Sequence, residues 1–266
     1  MSKDLKKKIH FVSSLPRSGS TLFCNILAQN PKFHSTHTSG CLDTLFNVRN
    51  SWDKVIEHKA HPMPEAKSNV MKAILSAYYQ DVTKDVIFDK SRGWLAYLEM
   101  TEALLEDKAK IIVNVRPIPD ILSSLEKIYR ATAVDKQPPG EAKNYFKMQT
   151  IEGRCEYWMQ PDQLVGLMLN RIKDAFDRGF GDRLFILPYE NLTKDPRNTM
   201  IKLYEFLNEP YYEHDFQNVE QVTFEDDEVH GFSNNLHKIR QQVKYQPSDA
   251  INILGKAIVE KYSKQQ

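Results

Sequence analysis

Residues 8–24 read KIHFVSSLPRSGSTLFC, an apolar run that stops at Pro16, turns on a single glycine and resumes with helical spacing. A buried strand delivered through a tight turn into an apolar helix is the opening unit of a parallel α/β sheet. The turn also has chemistry. Gly19 permits a left-handed conformation, so successive N–H groups can converge on one anion. A helix starting near Ser20 adds its positive end. Ser18, Ser20 and Thr21 supply hydroxyls, and Arg17 a permanent charge. Alone, Ser-Gly-Ser-Thr also reads as an ordinary N-capped turn. Its place directly after a first buried strand favours an anion cradle.

The rest of the chain repeats the strand–helix alternation. Further strands are expected at DVIFDK (85–90), AKIIVNVR (109–116) and RLFILPYE (183–190). Helices are expected at 20–29, at 64–80 with Val70, Ile74 and Ala77 in phase, at 94–106 and at 120–129. Others follow at 163–178, with Leu164, Leu167, Met168, Ile172 and Phe176 on the apolar face, at 196–207, and from about residue 248 to the end. Residues 32–64 read as irregular or lightly helical, and 210–247 as mostly loop, with EDDEVH (225–230) a solvated stretch. The polar segment 131–150, with its Pro-Pro-Gly, reads as a mobile connection or lid. The expected fold is a three-layer α/β domain over 1–266, P-loop NTPase-like. Its central parallel sheet has about four to five strands, with helices on both faces. In such sheets ligands bind beyond the carboxyl ends of the strands.

Composition narrows the partners. A formal net charge of +1 over 266 residues exerts no global pull toward nucleic acid or anionic lipid, so an anion site has to be local. At 41% hydrophobic, with 12 Tyr and 13 Phe, the chain can bury a sizeable core. The three cysteines, Cys24, Cys41 and Cys155, form neither a metal motif nor a disulfide framework. The basic, then apolar N-terminus is read as the first strand and not as a signal peptide. No run approaches the roughly 20 apolar residues of a membrane span. A soluble, cytoplasmic protein is expected, with no membrane or nucleic-acid partner.

The P-loop pattern of nucleotide hydrolases is G-x-x-x-x-G-K-[ST]. Laid over Ser14–Thr21 it keeps the spacing, the second glycine and the final hydroxyl. Ser14 replaces the first glycine, and Ser20 replaces the lysine that reaches a γ-phosphate. The third expected strand ends in Arg116 instead of an acidic metal-binding residue, and Ser124 follows eight residues later. An arginine at a strand's carboxyl end and a serine on the next helix can hold a second phosphate together.

The two motifs jointly resemble the PAPS-dependent sulfotransferase family (PAPS, 3′-phosphoadenosine 5′-phosphosulfate). There a Pro-[Lys/Arg]-Ser-Gly-[Thr/Ser]-Thr loop holds the 5′-phosphosulfate, and an Arg-(x7)-Ser segment the 3′-phosphate. LPRSGSTLFCNILAQNP is most similar to the tyrosylprotein and related bacterial branch. FDKSRGWLAYL resembles the family's strand ending in a catalytic lysine, here Lys90. LPYENLTKDPRNTMIKLYEFLNEP resembles the late strand–helix unit whose tyrosine, here Tyr189, lies near the nucleotide. NNLHKIRQQV resembles the basic loop that folds over the 3′-phosphate, which suggests Lys238 and Arg240. The motifs run in order from residue 9 to about 245.

The resemblance implies sulfuryl transfer from PAPS to a hydroxyl or amine on a small molecule, glycan or peptide. Adenosine 3′,5′-bisphosphate is the product, and no metal is expected. Arg17, the loop amides and Lys90 would stabilise charge on the leaving oxygen. For the general base the chain departs from its relatives. Cytosolic sulfotransferases place a histidine two residues beyond the strand lysine, where this chain has Arg92. Tyrosylprotein sulfotransferases use a glutamate downstream of the loop arginine, where this chain reads HSTHTSG (34–40). His37 is the nearest chemically able group, with His34 and Asp43 as alternatives. Two other readings stay open: a P-loop kinase using ATP, with Asp89 of VIFD as its acidic strand end, and a nucleotide-binding relative without catalysis. Tyr145, Phe146, Tyr157 and Trp158 read either as acceptor-pocket lining or as core.

Overall fold

Five strands form: β1 (Lys8–Val12), β2 (Phe33–Thr38), β3 (Val86–Lys90), β4 (Ile111–Val115) and β5 (Leu184–Pro188). The computed structural model describes residues 7–132, 146–230 and 236–264; Tyr145 and most of the expected lid at 131–150 lie outside them. All strand pairs are parallel, in the order β2-β3-β1-β4-β5. The helices are α1 (Ser20–Leu27), α2 (Cys41–Trp52), α3 (Ile56–Ala60), α4 (Pro64–Tyr78), α5 (Leu98–Leu105) and α6 (Ile118–Thr132). After them come α7 (Ile151–Trp158), α8 (Gly166–Asp177), α9 (Tyr189–Lys194), α10 (Pro196–Leu207), α11 (Ala250–Leu254) and α12 (Lys256–Ser263). Among the described residues no helix is long and apolar enough to cross a membrane.

Four sequence expectations need correction here. Residues 32–64 are ordered: they hold β2, α2 and α3. The polar FHSTHT becomes a strand because it is an edge strand. It buries Phe33, Ser35 and Thr36 against β3 and leaves His37 and Thr38 exposed. A register shift between Ser35 and Thr38 brings Thr38 opposite Lys90. The buried face of α4 is turned by one residue, onto Met71 and Leu75, while Val70 is exposed. On α8, Met168 and Ala175 are buried and Phe176 is exposed. The terminal helix is two helices, broken at Gly255, whose φ of 86° ends α11.

Strand alternation sorts the side chains into two cores. Ile9, Phe11, Ile87, Ile111, Val113 and Leu184 pack with residues of α2, α4, α5, α6, α7 and α8. Val12, Val86, Phe88, Ile112 and Leu187 pack with α1, α10 and the stretch around Val219 and Val243. Trp158 belongs to the first core, Tyr157 packs against it, and Phe146 is exposed. Phe23, Ile26 and Leu27 of α1 are fully buried in the second. At about 1.5–3 kcal/mol for each such side chain, they fix the N-terminus of α1 against the sheet. In the first layer the buried Glu126 carboxylate takes two 2.7 Å bonds from the Arg154 guanidinium, tying α6 to α7. The three cysteines are buried and free.

Candidate active site

β1 runs on past Val12 beside β4: Ser13 N–H donates to the Ile112 carbonyl at 2.9 Å, and Leu15 N–H to that of Asn114 at 3.0 Å. The chain then turns sharply, with Arg17 at φ 57° and Gly19 at φ 87°. For Arg17 the left-handed region costs roughly 1–2 kcal/mol. Its guanidinium is held at both ends: Nε donates to Ser124 Oγ at 3.1 Å, and another nitrogen to the Leu236 carbonyl at 3.0 Å. The Ser18 hydroxyl points inward and donates to the Leu15 carbonyl at 2.6 Å, so it builds the loop. Ser20 and Thr21 are half-buried in the first turn of α1, which carries no acidic residue. The positive end of that helix therefore has no carboxylate of its own.

Tyr189, directly after β5, closes this loop from the side. A Cβ at Gly19 would sit 2.9 Å from the tyrosine ring, so glycine is needed for space as well as for φ. The Arg116 guanidinium lies over the same ring, 4.5 Å from its centre. Arg116 also donates to the Arg17 carbonyl at 3.4 Å. Its Nε is buried without a hydrogen-bond partner, 3.5 Å from an Asp120 carboxylate oxygen. Arg116 and Ser124 thus meet through Arg17. Burial and the nearby Arg116 charge pull the Arg17 guanidinium down from its usual range, with Asp227 opposing them.

Lys90 ends β3 with its ammonium in a buried setting, 3.1 Å from Glu225 Oε1. Asp89, one residue earlier, faces the other core. It accepts from Ser39 Oγ at 2.9 Å, from Trp94 Nε1 at 2.8 Å and from the Tyr79 hydroxyl. Burial raises its pKa, and the three donors pull the other way. As a strand-end metal ligand Asp89 is therefore on the wrong side of the sheet.

Glu225 and Asp227 correct the reading of 225–230 as a solvated stretch. The Glu225 carboxylate accepts from the Thr38 amide at 2.6 Å, the Thr38 hydroxyl at 2.8 Å and Lys90. Burial opposes its charge, but Lys90, Thr38 and His237 outweigh that and hold its pKa at about 2. Asp227 is buried, and its Oδ1 lies 2.5 Å from His237 Nδ1. Two amide side chains position this segment. Asn25 of α1 accepts from the Val222 and Thr223 amides at 2.6 and 3.1 Å. Gln221 accepts from the Ile239 amide and donates to the His237 carbonyl, both at 3.1 Å. Lys238 and Arg240 sit exposed on that stitched stretch.

The sequence candidates for a base are spread along β2 and α2. His37 is exposed at the strand end, with Nδ1 2.7 Å from the Thr38 carbonyl. His34 lies mid-strand opposite Ile87, away from the carboxyl end, and burial lowers its pKa. Asp43 is exposed in the first turn of α2.

A family model described as the sulfotransferase family matches residues 10–213. No curated protein matches the chain in sequence. Among solved structures it is similar to the sulfotransferase domain from the curacin biosynthetic pathway. Identity is 17%, covering 99% of this chain and 98% of that one, with a TM-score of 0.60. It is also similar to retinol dehydratase, solved in complex with androsterone and inactive cofactor PAP. Here identity is 12%, covering 99% of this chain and 81% of that one, with a TM-score of 0.51. At these identities the likeness is one of fold.

Proposed function

Because the chain belongs to the sulfotransferase family, we propose that it moves a sulfuryl group from PAPS to a hydroxyl or amine acceptor, acting as one domain over 1–266. The observation that carries the choice of donor is the meeting of Arg17 and Arg116 at the carboxyl ends of β1 and β4. Arg116 there keeps a buried Nε with no hydrogen-bond partner. Asp120, 3.5 Å from that Nε, and Asp227 near Arg17 offset part of this positive charge, and a nucleotide with phosphates at both ends supplies hydrogen-bonding anions for the rest.

In this reading the amides of residues 17–21 and the Ser20 and Thr21 hydroxyls cradle the 5′-phosphosulfate. Gly19 gives them room, and Ser18 braces the turn. Arg116 and Ser124 hold the 3′-phosphate, with Lys238 and Arg240 closing over it. Tyr189 lies beside the nucleotide. Arg17 and Lys90 face the bridging oxygen, where charge builds as the S–O bond breaks. Donors aimed there favour the transition state over the ground state. Lys90 is well placed because Glu225 fixes its ammonium. The acceptor proton needs a base, for which His37 is the sequence's candidate. The buried, unpaired cysteines suit a reducing compartment such as the cytoplasm.

Thermal denaturation with adenosine 3′,5′-bisphosphate, against ATP plus Mg²⁺, tests the donor. Bisphosphate at 100 times its Kd adds about 2.7 kcal/mol. Stabilisation by ATP alone overturns the reading in favour of a kinase. Arg17→Ala and Arg116→Ala are each expected to abolish most of the bisphosphate response.

A further inference from the structure

Two histidines come from segments that reach Glu225, and their surroundings differ. His37 offers Nδ1 to a main-chain carbonyl and stands in solvent. His237 sets Nδ1 2.5 Å from the buried Asp227 carboxylate, whose other oxygen takes the His237 amide at 3.3 Å. Glu225 Oε2 lies 3.6 Å from the same Nδ1, while its Oε1 contacts Lys90. The residue before it, Leu236, receives the Arg17 guanidinium on its carbonyl. The imidazole is therefore one carboxylate away from Lys90 and one residue away from the partner of Arg17. Its side chain is 21% exposed, so the imidazole is not sealed in the core.

The acid–base chemistry of this cluster is unequal. Glu225 already accepts from two groups of Thr38 and from Lys90, so it is a poor proton acceptor. Asp227 is occupied with His237. A carboxylate on Nδ1 holds that nitrogen as the N–H, leaves Nε2 as the basic atom and stabilises the imidazolium that follows. Resting on the sulfuryl-transfer reading, we infer that His237, held by Asp227, is the general base, and that His37 is not. The acceptor oxygen, or nitrogen, forms its bond to sulfur while its proton passes to His237 Nε2. The bond from sulfur to the 5′-phosphate oxygen breaks, with its electron pair staying on the bisphosphate. The imidazolium then returns its proton to solvent. Asp227 is a positioning residue.

The test uses the full chain with PAPS and a panel of phenols and primary alcohols, with bisphosphate binding followed in parallel. His237→Gln keeps a side-chain N–H for Asp227 but has no basic nitrogen. It is expected to melt like wild type, bind the bisphosphate as wild type does and lose 10²–10⁴-fold in transfer. The loss should be larger for primary alcohols than for the more acidic phenols. Added imidazole should restore transfer in His237→Ala, and Asp227→Asn should lower kcat with KM unchanged. Unchanged transfer in His237→Gln, or a loss confined to His37→Ala, overturns the inference. So does a wild-type chain that binds the bisphosphate and transfers to nothing in the panel. A wild-type chain that does not bind the bisphosphate fails earlier, at the donor reading itself.

Discussion

Asp89 and Lys90 are neighbours on β3, and the sheet separates their surroundings. On the Asp89 side a fully buried carboxyl meets three donors, from Ser39, Tyr79 and Trp94. On the Lys90 side an ammonium at the strand end meets Glu225, a side chain 135 positions downstream. One face is closed on itself by residues drawn from two helical connections, and the other is completed by a long loop. Strand periodicity alone sends adjacent residues to opposite faces, the first into a closed hydrogen-bonded cluster and the second into an ion pair with a distant loop.

Four substitutions break or sharpen that contrast. Asp89→Ala strands three buried donors and should cost about 3 kcal/mol or more of stability, measured by urea unfolding. The folded fraction should still bind the bisphosphate. Next is an imidazole buried on the Lys90 face. His10 has neither ring nitrogen partnered, and burial, helped by Lys8 and Lys110, lowers its pKa from 6.5 to about 3. The unfolded chain therefore binds the extra proton first, so stability is whole above pH 6.5 and falls as pH drops toward 3. The full loss is on the order of 4 kcal/mol, and His10→Phe should flatten that part of a melting-temperature–pH profile. Lys90→Ala should cut turnover 10²–10³-fold while lowering the melting temperature less than Asp89→Ala does. The smallest change is expected at Phe176→Ser, within about 0.5 kcal/mol, because that ring is 48% exposed.

Much of this arrangement was readable in the chain. β1, β3, β4 and β5 are short apolar runs, and the Pro-Arg-Ser-Gly-Ser-Thr turn announces its own geometry. β2 escaped because an edge strand can be polar, and FHSTHT has only Phe33 as a strongly apolar residue. The Glu225–Asp227–His237 cluster escaped for another reason. Its residues lie in a charged run and a basic run that look solvated, and side chains distant in sequence hold them in place: Thr38, Lys90 and Asn25, with Gln221 tying the two runs together. Amide bonds between distant segments leave no periodic trace. A polar residue among the buried apolar ones of α1, Phe23 to Leu27, was the available signal, since a buried asparagine needs partners. The Arg116–Ser124 spacing was legible, whereas the insertion of Arg17 between them depends on the left-handed turn at residue 17.

The hydrogen bond from Trp94 to Asp89 also has an optical consequence. Trp94 and Trp158 belong to the first core, and Trp52 ends α2 with its ring stacked on His58. Ultraviolet emission excited at the indole band is thus a gauge of that layer's integrity. The Pro-Arg-Ser-Gly-Ser-Thr loop is watched by Tyr189 instead, whose phenol borders Gly19 and Arg116. A titration followed by indole fluorescence alone would be nearly blind to occupancy of the loop, and a fluorinated tyrosine at position 189 would see it directly.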